Sequence, residues 1–218
     1  MINLAKLTKE DELKRQALMW EYEHAAAAEG YRLVAGVDEA GRGPLAGPVF
    51  AAAVILKEGA VIDGINDSKK LSEKKREELF EKIKENAVAY SVYSADEKTI
   101  DDMNILNATY MAMNGAVDGL AVMPDFVLID GNSIKNMQTP HRTVVKGDAK
   151  SISIAAASIL AKVSRDRFMA EMAEKYPEYG FEKHKGYGTK AHNEAILKYG
   201  PSPIHRRTFL KKLLGDKI

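Results

Sequence analysis

Asp38 and Glu39 stand side by side where an apolar run, Leu33-Val34-Ala35-Gly36-Val37, meets a turn containing Gly41, Arg42, Gly43, Pro44, Gly47 and Pro48. A buried carboxylate without a partner is costly or gives up its charge. Two acids at a strand end, facing a tight backbone turn, suit a divalent cation together with something anionic. The stretch also reads as a solvated acidic turn between two strands, and taken alone it leaves both readings open.

Two further segments repeat the pattern. Phe126-Val127-Leu128-Ile129 runs into Asp130-Gly131, and Arg142-Thr143-Val144-Val145-Lys146 runs into Gly147-Asp148. Sites in α/β sheets gather beyond strand ends, so three such deliveries are a more specific signal than one. Neighbouring residues on a strand face opposite ways, so Asp38 and Glu39 share a site only where the strand is ending. Oxygen ligands, with no Cys in the chain and no His near these turns, select Mg²⁺ or Mn²⁺ over Zn²⁺. Four clustered acids repel one another without a cation, and two ions about 4 Å apart can clamp the attacking and leaving oxygens of a phosphodiester.

The basic residues agree with a phosphate-bearing substrate. Residues 1–134 carry 15 Lys+Arg against 23 Asp+Glu, whereas residues 135–218 carry 17 against 8. Lys146, Lys150, Arg165, His184 and Lys185 lie near the third acid or in this basic region, and Arg42 sits between two glycines. They fit phosphate contacts, although basic helices facing solvent would have the same composition. The chain has 218 residues, 45% of them apolar and 29% charged, as expected of a globular protein. It has no cysteine, no apolar run near the ~20 residues of a membrane span, and no signal-like N-terminus, so a cytoplasmic, membrane-free protein is expected. Neither a P-loop nor a Gly-x-Ser-x-Gly elbow is present.

The elements that must position these groups follow from periodicity and caps. Thr8 caps a helix that runs to Gly30, with Leu13, Ala17, Trp20, His24 and Ala27 inward. Strands are predicted at about 32–38 and 47–57, then a helix from Glu73 to Asn86 and a strand at about 87–93. A capping box at Ser94–Glu97 opens a long helix that buries Ile100, Met103, Tyr110 and Val117. After the second and third acid-bearing strands come helices at Ser151–Tyr176 and Thr189–Tyr199, and a basic tail around His205-Arg206-Arg207.

Together, Val37-Asp38-Glu39-Ala40-Gly41-Arg42-Gly43-Pro44, Asp67-Ser68-Lys69-Lys70-Leu71, Asp130-Gly131, Lys146-Gly147-Asp148, the stretch Ala155–Val163 and His184-Lys185-Gly186-Tyr187-Gly188-Thr189 resemble bacterial ribonuclease HII, in order, over about residues 32–209. The resemblance implies an RNase H-like α/β fold: a five-stranded mixed sheet flanked by helices, with a C-terminal helical region at about 177–218. It divides the chain into an N-terminal helical extension, 1–30, and a catalytic domain, 31–218. It implies hydrolysis of RNA in RNA–DNA hybrids and incision 5′ of single ribonucleotides in duplex DNA, as in ribonucleotide repair, leaving 5′-phosphate and 3′-hydroxyl ends. Asp38, Glu39, Asp130 and Asp148 match the acids that hold two Mn²⁺ or Mg²⁺ ions. Gly41, Arg42 and Gly43 match the turn that reads the ribose 2′-hydroxyl, and Tyr187 matches the tyrosine that stacks on the following sugar. Ser68, Lys69, Lys146, Arg165, His184 and Lys185 are the further expected substrate contacts.

Arg42 and Tyr187 favour this type over the sister ribonuclease HIII, which usually carries Gly-Lys-Gly after the acids. A monomer is expected. The tail Phe209-Leu-Lys-Lys-Leu-Leu lacks a Gln-initiated sliding-clamp motif, so clamp binding is not expected. The residues leave two other readings: an RNase H-fold nuclease of different specificity, such as a junction resolvase, and a catalytically silent nucleic-acid-binding module.

Overall fold

The computed structural model describes residues 8–215; residues 1–7 and 216–218, the outer ends of the expected extension and body, lie outside the described residues. Thr8 caps the first helix, its hydroxyl accepting the Asp11 N–H at 3.1 Å while the Asp11 carboxylate accepts the Thr8 N–H at 3.2 Å. The predicted single helix to Gly30 is two, α1 (Lys9–Met19) and α2 (Glu21–Ala28), interrupted at Trp20. The inward face also differs. Leu13 is 44% exposed, and Ala17, His24 and Ala27 face solvent, whereas Gln16, Met19, Glu23 and Ala26 are buried. Gln16 can sit inside because the Ile62 main chain satisfies its amide, accepting from Nε2 at 3.0 Å and donating to Oε1 at 2.9 Å. Apolar periodicity is blind to such a residue.

β1 (Val34–Ala40) and β2 (Val49–Leu56) pair antiparallel, with Ala35 opposite Ile55 and Ala40 opposite Phe50. β3 (Ala87–Ala95) continues antiparallel beyond β2, while β4 (Phe126–Asp130) and β5 (His141–Val144) extend the other side in parallel. The sheet order is β3-β2-β1-β4-β5. As its unbroken apolar run predicts, β2 is buried on both faces: Ala52 and Val54 point into one core, Ala51, Ala53 and Ile55 into the other.

Helices cover both faces. α3 (Glu73–Asn86), capped by Ser72, buries Leu79, Phe80 and Ile83, as its spacing predicts. Asp96, rather than the predicted capping box at Ser94, caps α4 (Glu97–Asp118) by accepting the Thr99 N–H at 2.8 Å. Asn104 breaks that helix at φ 68°, and Met103, expected inside, is 37% exposed at the break. α5 (Ile152–Lys175) crosses the opposite face with Ala155, Ala156 and Ala157 fully buried. Its approach is close: a Cβ on Gly36 of β1 would fall 2.1 Å from the carbonyl carbon of Ser153.

α6 (Phe181–His184), α7 (Lys190–Tyr199) and α8 (Arg207–Leu214) form the C-terminal helical region around a separate core of Met169, Tyr179, Phe181, Ile196 and Leu210. Among the described residues, no helix is long and apolar enough to cross a membrane.

Candidate active site

β1 does not stop at Asp38 as expected; its pairing with β2 continues through both acids, with Asp38 opposite Ala52 and Glu39 opposite Ala51. On the β4 side, pairing ends at Val37 opposite Ile129. The acids thus lie beyond the last β1–β4 pair, where a side chain from either face can meet one from the neighbouring strand end. Asp130 ends β4 and is the shared neighbour: its charge raises the proton affinity of Asp38, Glu39 and Asp148.

The electrostatics follow from burial first. Asp38 is 4% exposed, and desolvation, then the charges of Glu39 and Asp130, push its carboxyl well above the usual range. The Ser158 hydroxyl and the Glu39 N–H, which reaches Asp38 Oδ1 at 2.7 Å, act in the opposite direction. Glu39 is also raised by desolvation, against the Arg42 guanidinium 3.4 Å from its Oε1. Asp148 is buried on a 3₁₀ turn at Gly147–Ala149, and burial, then Asp67 and Asp130, raise it as well. The Gly147 N–H donates to Asp130 Oδ1 at 2.6 Å, tying the second and third acid-bearing segments together.

Lys69 is a cation acted on by four of these acids. Burial alone would lower its pKa, but Asp38, Asp148, Asp67 and Asp130 outweigh that and hold it above its ordinary value. Asp67, which sequence reasoning passed over, accepts the Lys69 N–H at 2.9 Å and lies close enough to Asp148 to perturb it. Its signal was its place in the Asp67–Leu71 motif, read there only as part of a match.

The donor set is all oxygen, and the buried carboxylates disfavour one another's charge, which fits a hard divalent cation. As the side chains stand, no three acids or imidazoles among the described residues are gathered tightly enough to form a finished cation cage.

Beside the acids lies the Gly41–Gly47 turn. Gly41 has φ +96°, and a Cβ there would fall 2.0 Å from Arg165 Nε. This corrects the expectation that Arg165 meets phosphate: it is 1% exposed and donates to the carbonyls of Pro48 (3.1 Å), Lys185 (3.0 Å) and Ala46 (2.9 Å). Arg206, read from sequence as part of a basic tail, is fully buried in the same role. Its guanidinium donates to Arg42 O at 2.9 Å, Pro44 O at 2.8 Å, Gly41 O at 2.5 Å and Gly47 O at 2.9 Å. Burial, then Arg165, pushes Arg206 down from the usual guanidinium range. With those carbonyls held inward, the Arg42 and Gly43 N–H groups have no acceptor among the described residues.

Tyr187 completes this wall. Its Cε1 lies 3.7 Å from where a Gly43 Cβ would be, and the side chain is 46% exposed. Its main chain is fixed from behind, because the Tyr187 N–H donates to His184 O at 2.9 Å and the Tyr187 carbonyl lies 2.9 Å from His192 Nδ1. His192 Nε2 in turn lies 3.0 Å from His205 Nε2, both rings buried.

The remaining expected contacts divide. Lys146, Arg42 and Lys69 are exposed. Ser68 is buried with its hydroxyl 2.9 Å from Ser158 Oγ, so it is turned inward rather than toward substrate. His184 has Nε2 2.9 Å from Tyr179 O and Nδ1 accepting from Gly186 N–H at 3.3 Å; its ring braces the loop instead of facing out. Lys185 is largely covered, its Nζ 3.7 Å from Glu73. Sequence spacing places these residues near the site but says nothing of which way they turn.

Fold and site together define an RNase H-like nuclease architecture, with acids at the ends of neighbouring central strands. The ribonuclease HII profile matches residues 35–212, and the chain belongs to the ribonuclease HII family of metal-dependent nucleases. Ribonuclease HII of Caldicellulosiruptor saccharolyticus is 57% identical over 195 residues, covering 89% of this chain and 95% of that protein. The crystal structure of ribonuclease H2 from Pyrococcus horikoshii OT3 superposes with a TM-score of 0.70 at 31% identity, covering 84% of this chain and 97% of the other. The ribonuclease HII of Archaeoglobus fulgidus, solved as a complex with PCNA, superposes with a TM-score of 0.68 at 26% identity over 80% of this chain and 94% of that one.

Proposed function

We propose that this chain hydrolyses the RNA strand of RNA–DNA hybrids and cuts on the 5′ side of single ribonucleotides embedded in duplex DNA. The observation that carries the reading is the adjacency of Gly43 and Tyr187, beside the Arg42 and Gly43 N–H groups, which have no acceptor among the described residues while Arg206 holds the Gly41, Arg42 and Pro44 carbonyls inward. An N–H donor set at that turn suits the 2′-hydroxyl oxygen, the one group that separates ribose from deoxyribose at a site. The Tyr187 ring offers a flat apolar face to the sugar that follows.

Asp38, Glu39, Asp130 and Asp148 would hold two divalent ions, Mn²⁺ or Mg²⁺. When bound, such ions acidify the attacking water and neutralise charge on the departing 3′-oxygen, leaving 5′-phosphate and 3′-hydroxyl ends. The chain's own groups do the rest. Lys69 supplies a positive charge beside the acids and the scissile phosphate. Arg42 and Lys146, both exposed, meet flanking phosphates, and the Gly41–Gly43 turn orients the ribose. The division into an extension, 1–30, and a catalytic body, 31–218, follows the same reading, as does action as a soluble monomer in the cytoplasm on ribonucleotides left in DNA.

The test is a 5′-labelled DNA duplex with one ribonucleotide, incubated with Mn²⁺ or Mg²⁺ and either wild type or Asp130→Asn. Wild type should give one nick with mapped 3′-hydroxyl and 5′-phosphate ends, and the variant none above background. Near-normal incision by the variant would overturn the assignment, and cleavage of an all-DNA four-way junction by wild type would replace it with a resolvase.

A further inference from the structure

Glu23 lies on α2, outside residues 35–212, and the site as described has no use for it. It is 5% exposed. Its Oε1 accepts from Ser151 Oγ at 2.6 Å, from the Ser153 N–H at 3.1 Å and from the Ser153 hydroxyl, all at the start of α5. Burying a carboxylate is costly unless hydrogen bonds hold it. A helix N-terminus is suited to do so, because its N–H groups lack intrahelical acceptors and its dipole favours negative charge.

The helix start that Glu23 grips leads directly back to the acids. Ser151 caps α5 by accepting the Ile154 N–H at 3.2 Å, and its own N–H donates to Gly147 O at 2.8 Å. The Gly147 N–H donates to Asp130 Oδ1 at 2.6 Å, and Asp148 is the next residue on the same turn. On its other side this helix start is pressed against β1 at Gly36, where no Cβ fits, two positions before Asp38. Hydrogen bonds therefore run from Glu23 through Ser151 and Gly147 to Asp130, carrying Asp148 between them.

We infer that Glu23 is a positioning residue for cation binding: the appended helix α2 sets the Gly147–Ser153 segment, and through it the placement of Asp130 and Asp148. The inference rests on the reading of Asp38, Glu39, Asp130 and Asp148 as cation ligands. It gives the N-terminal extension a task in the nuclease, beyond covering the sheet.

The experiment compares full-length wild type, Glu23→Ala, Glu23→Gln, Ser153→Ala and Gln16→Ala. Gln16 is an equally buried polar residue of the same extension, but it bonds Ile62 instead of α5. Mn²⁺ alone is titrated by calorimetry, and amide hydrogen exchange is followed across residues 147–154. Glu23→Ala should weaken Mn²⁺ binding about 10-fold, the low end for lost support behind metal ligands, and speed exchange across that segment. Glu23→Gln should recover most of the binding, since its amide oxygen still accepts from the serines, and Gln16→Ala should change neither readout. Should Glu23→Ala fail to fold, Ser153→Ala carries the test, with an expected loss of about three-fold, smaller because one donor goes. Binding within about two-fold of wild type for the folded Glu23→Ala, or equal loss in Gln16→Ala, overturns the inference. Asp38→Asn is titrated in parallel: if it keeps full Mn²⁺ binding, the cation-site reading itself falls. If it loses binding while Glu23→Ala does not, only the positioning role falls.

Discussion

Arg206 Nη1 donates to the carbonyl oxygen of Arg42 at 2.9 Å, across 164 positions of chain. The same guanidinium also takes the carbonyls of Gly41, Pro44 and Gly47. A planar fork of five donors can meet several carbonyls at once, and a lysine ammonium cannot. Removing it strands buried acceptors at about 1–3 kcal/mol each. Arg206→Met should therefore lose on the order of 4 kcal/mol in urea unfolding, with Arg206→Lys intermediate. Discrimination between ribose and deoxyribose should fall as the turn loosens, measured as the ratio of incision on a single-ribonucleotide duplex to nicking of all-DNA duplex.

Asp38 presents a trade of stability for function. Its carboxyl is raised above the unfolded value by burial and by Glu39 and Asp130, so its ionised form is disfavoured in the fold. Such a group contributes stability that is fully present below the unfolded pKa and lost as pH rises through the folded one. With metal removed by chelator at pH 8, Asp38→Asn should melt roughly 3 °C higher than wild type, with the gap closing toward pH 4. The same variant should lose at least about 1000-fold in metal-dependent cleavage, because a neutral amide is a poor ligand for a hard cation.

Tyr187 stands over Gly43 with its ring exposed. Tyr187→Ala should lose about 10-fold more activity on a duplex with one ribonucleotide than on a long RNA–DNA hybrid, the size of one lost stacking contact. Parallel kcat/KM measurements on the two substrates check this. Equal losses would remove Tyr187 from junction reading.

His192 and His205 supply a pH dependence. Burial lowers His192 to about 4 and His205 to about 3, with the Nε2 atoms of the two rings 3.0 Å apart. The unfolded chain takes up these protons near pH 6.5 while the fold does not, so stability is complete above that value and declines as pH falls toward 4. The loss by pH 4 should be on the order of 3 kcal/mol for each imidazole, read from urea midpoints at pH 7.5, 5.5 and 4.5. Replacing His205 by Asn should flatten the curve. Protonating both rings sets two N–H donors against each other at His192 Nε2 and His205 Nε2, so acid should loosen the segment behind Tyr187 and reduce single-ribonucleotide incision before the sheet unfolds.

The amino-acid sequence by itself determined the parts governed by neighbours along the chain. The apolar runs into Asp38-Glu39 and into Asp130, the burial of β2 on both faces, the glycine turn after Glu39 and the caps at Thr8 and Ser72 are local matters of period, propensity and turn chemistry, and they stand in the structure, whereas Asp148 lies four positions beyond the end of β5 on its own 3₁₀ turn. Only the tertiary structure decided which polar groups go inside. Arg165, Arg206, Gln16 and Glu23 are buried because acceptors or donors from distant segments meet them, and a one-dimensional pattern of apolar residues carries no trace of those partners. It likewise turned Ser68 and His184 inward and set Lys69 among the acids. The reach of β1 to Ala40 was decided by its pairing with β2, since strand ends depend on the partner's register as much as on the strand. Acids at strand ends are legible in sequence because a strand carries its own direction; the braces that hold them come from other parts of the chain, and only folding brings those together.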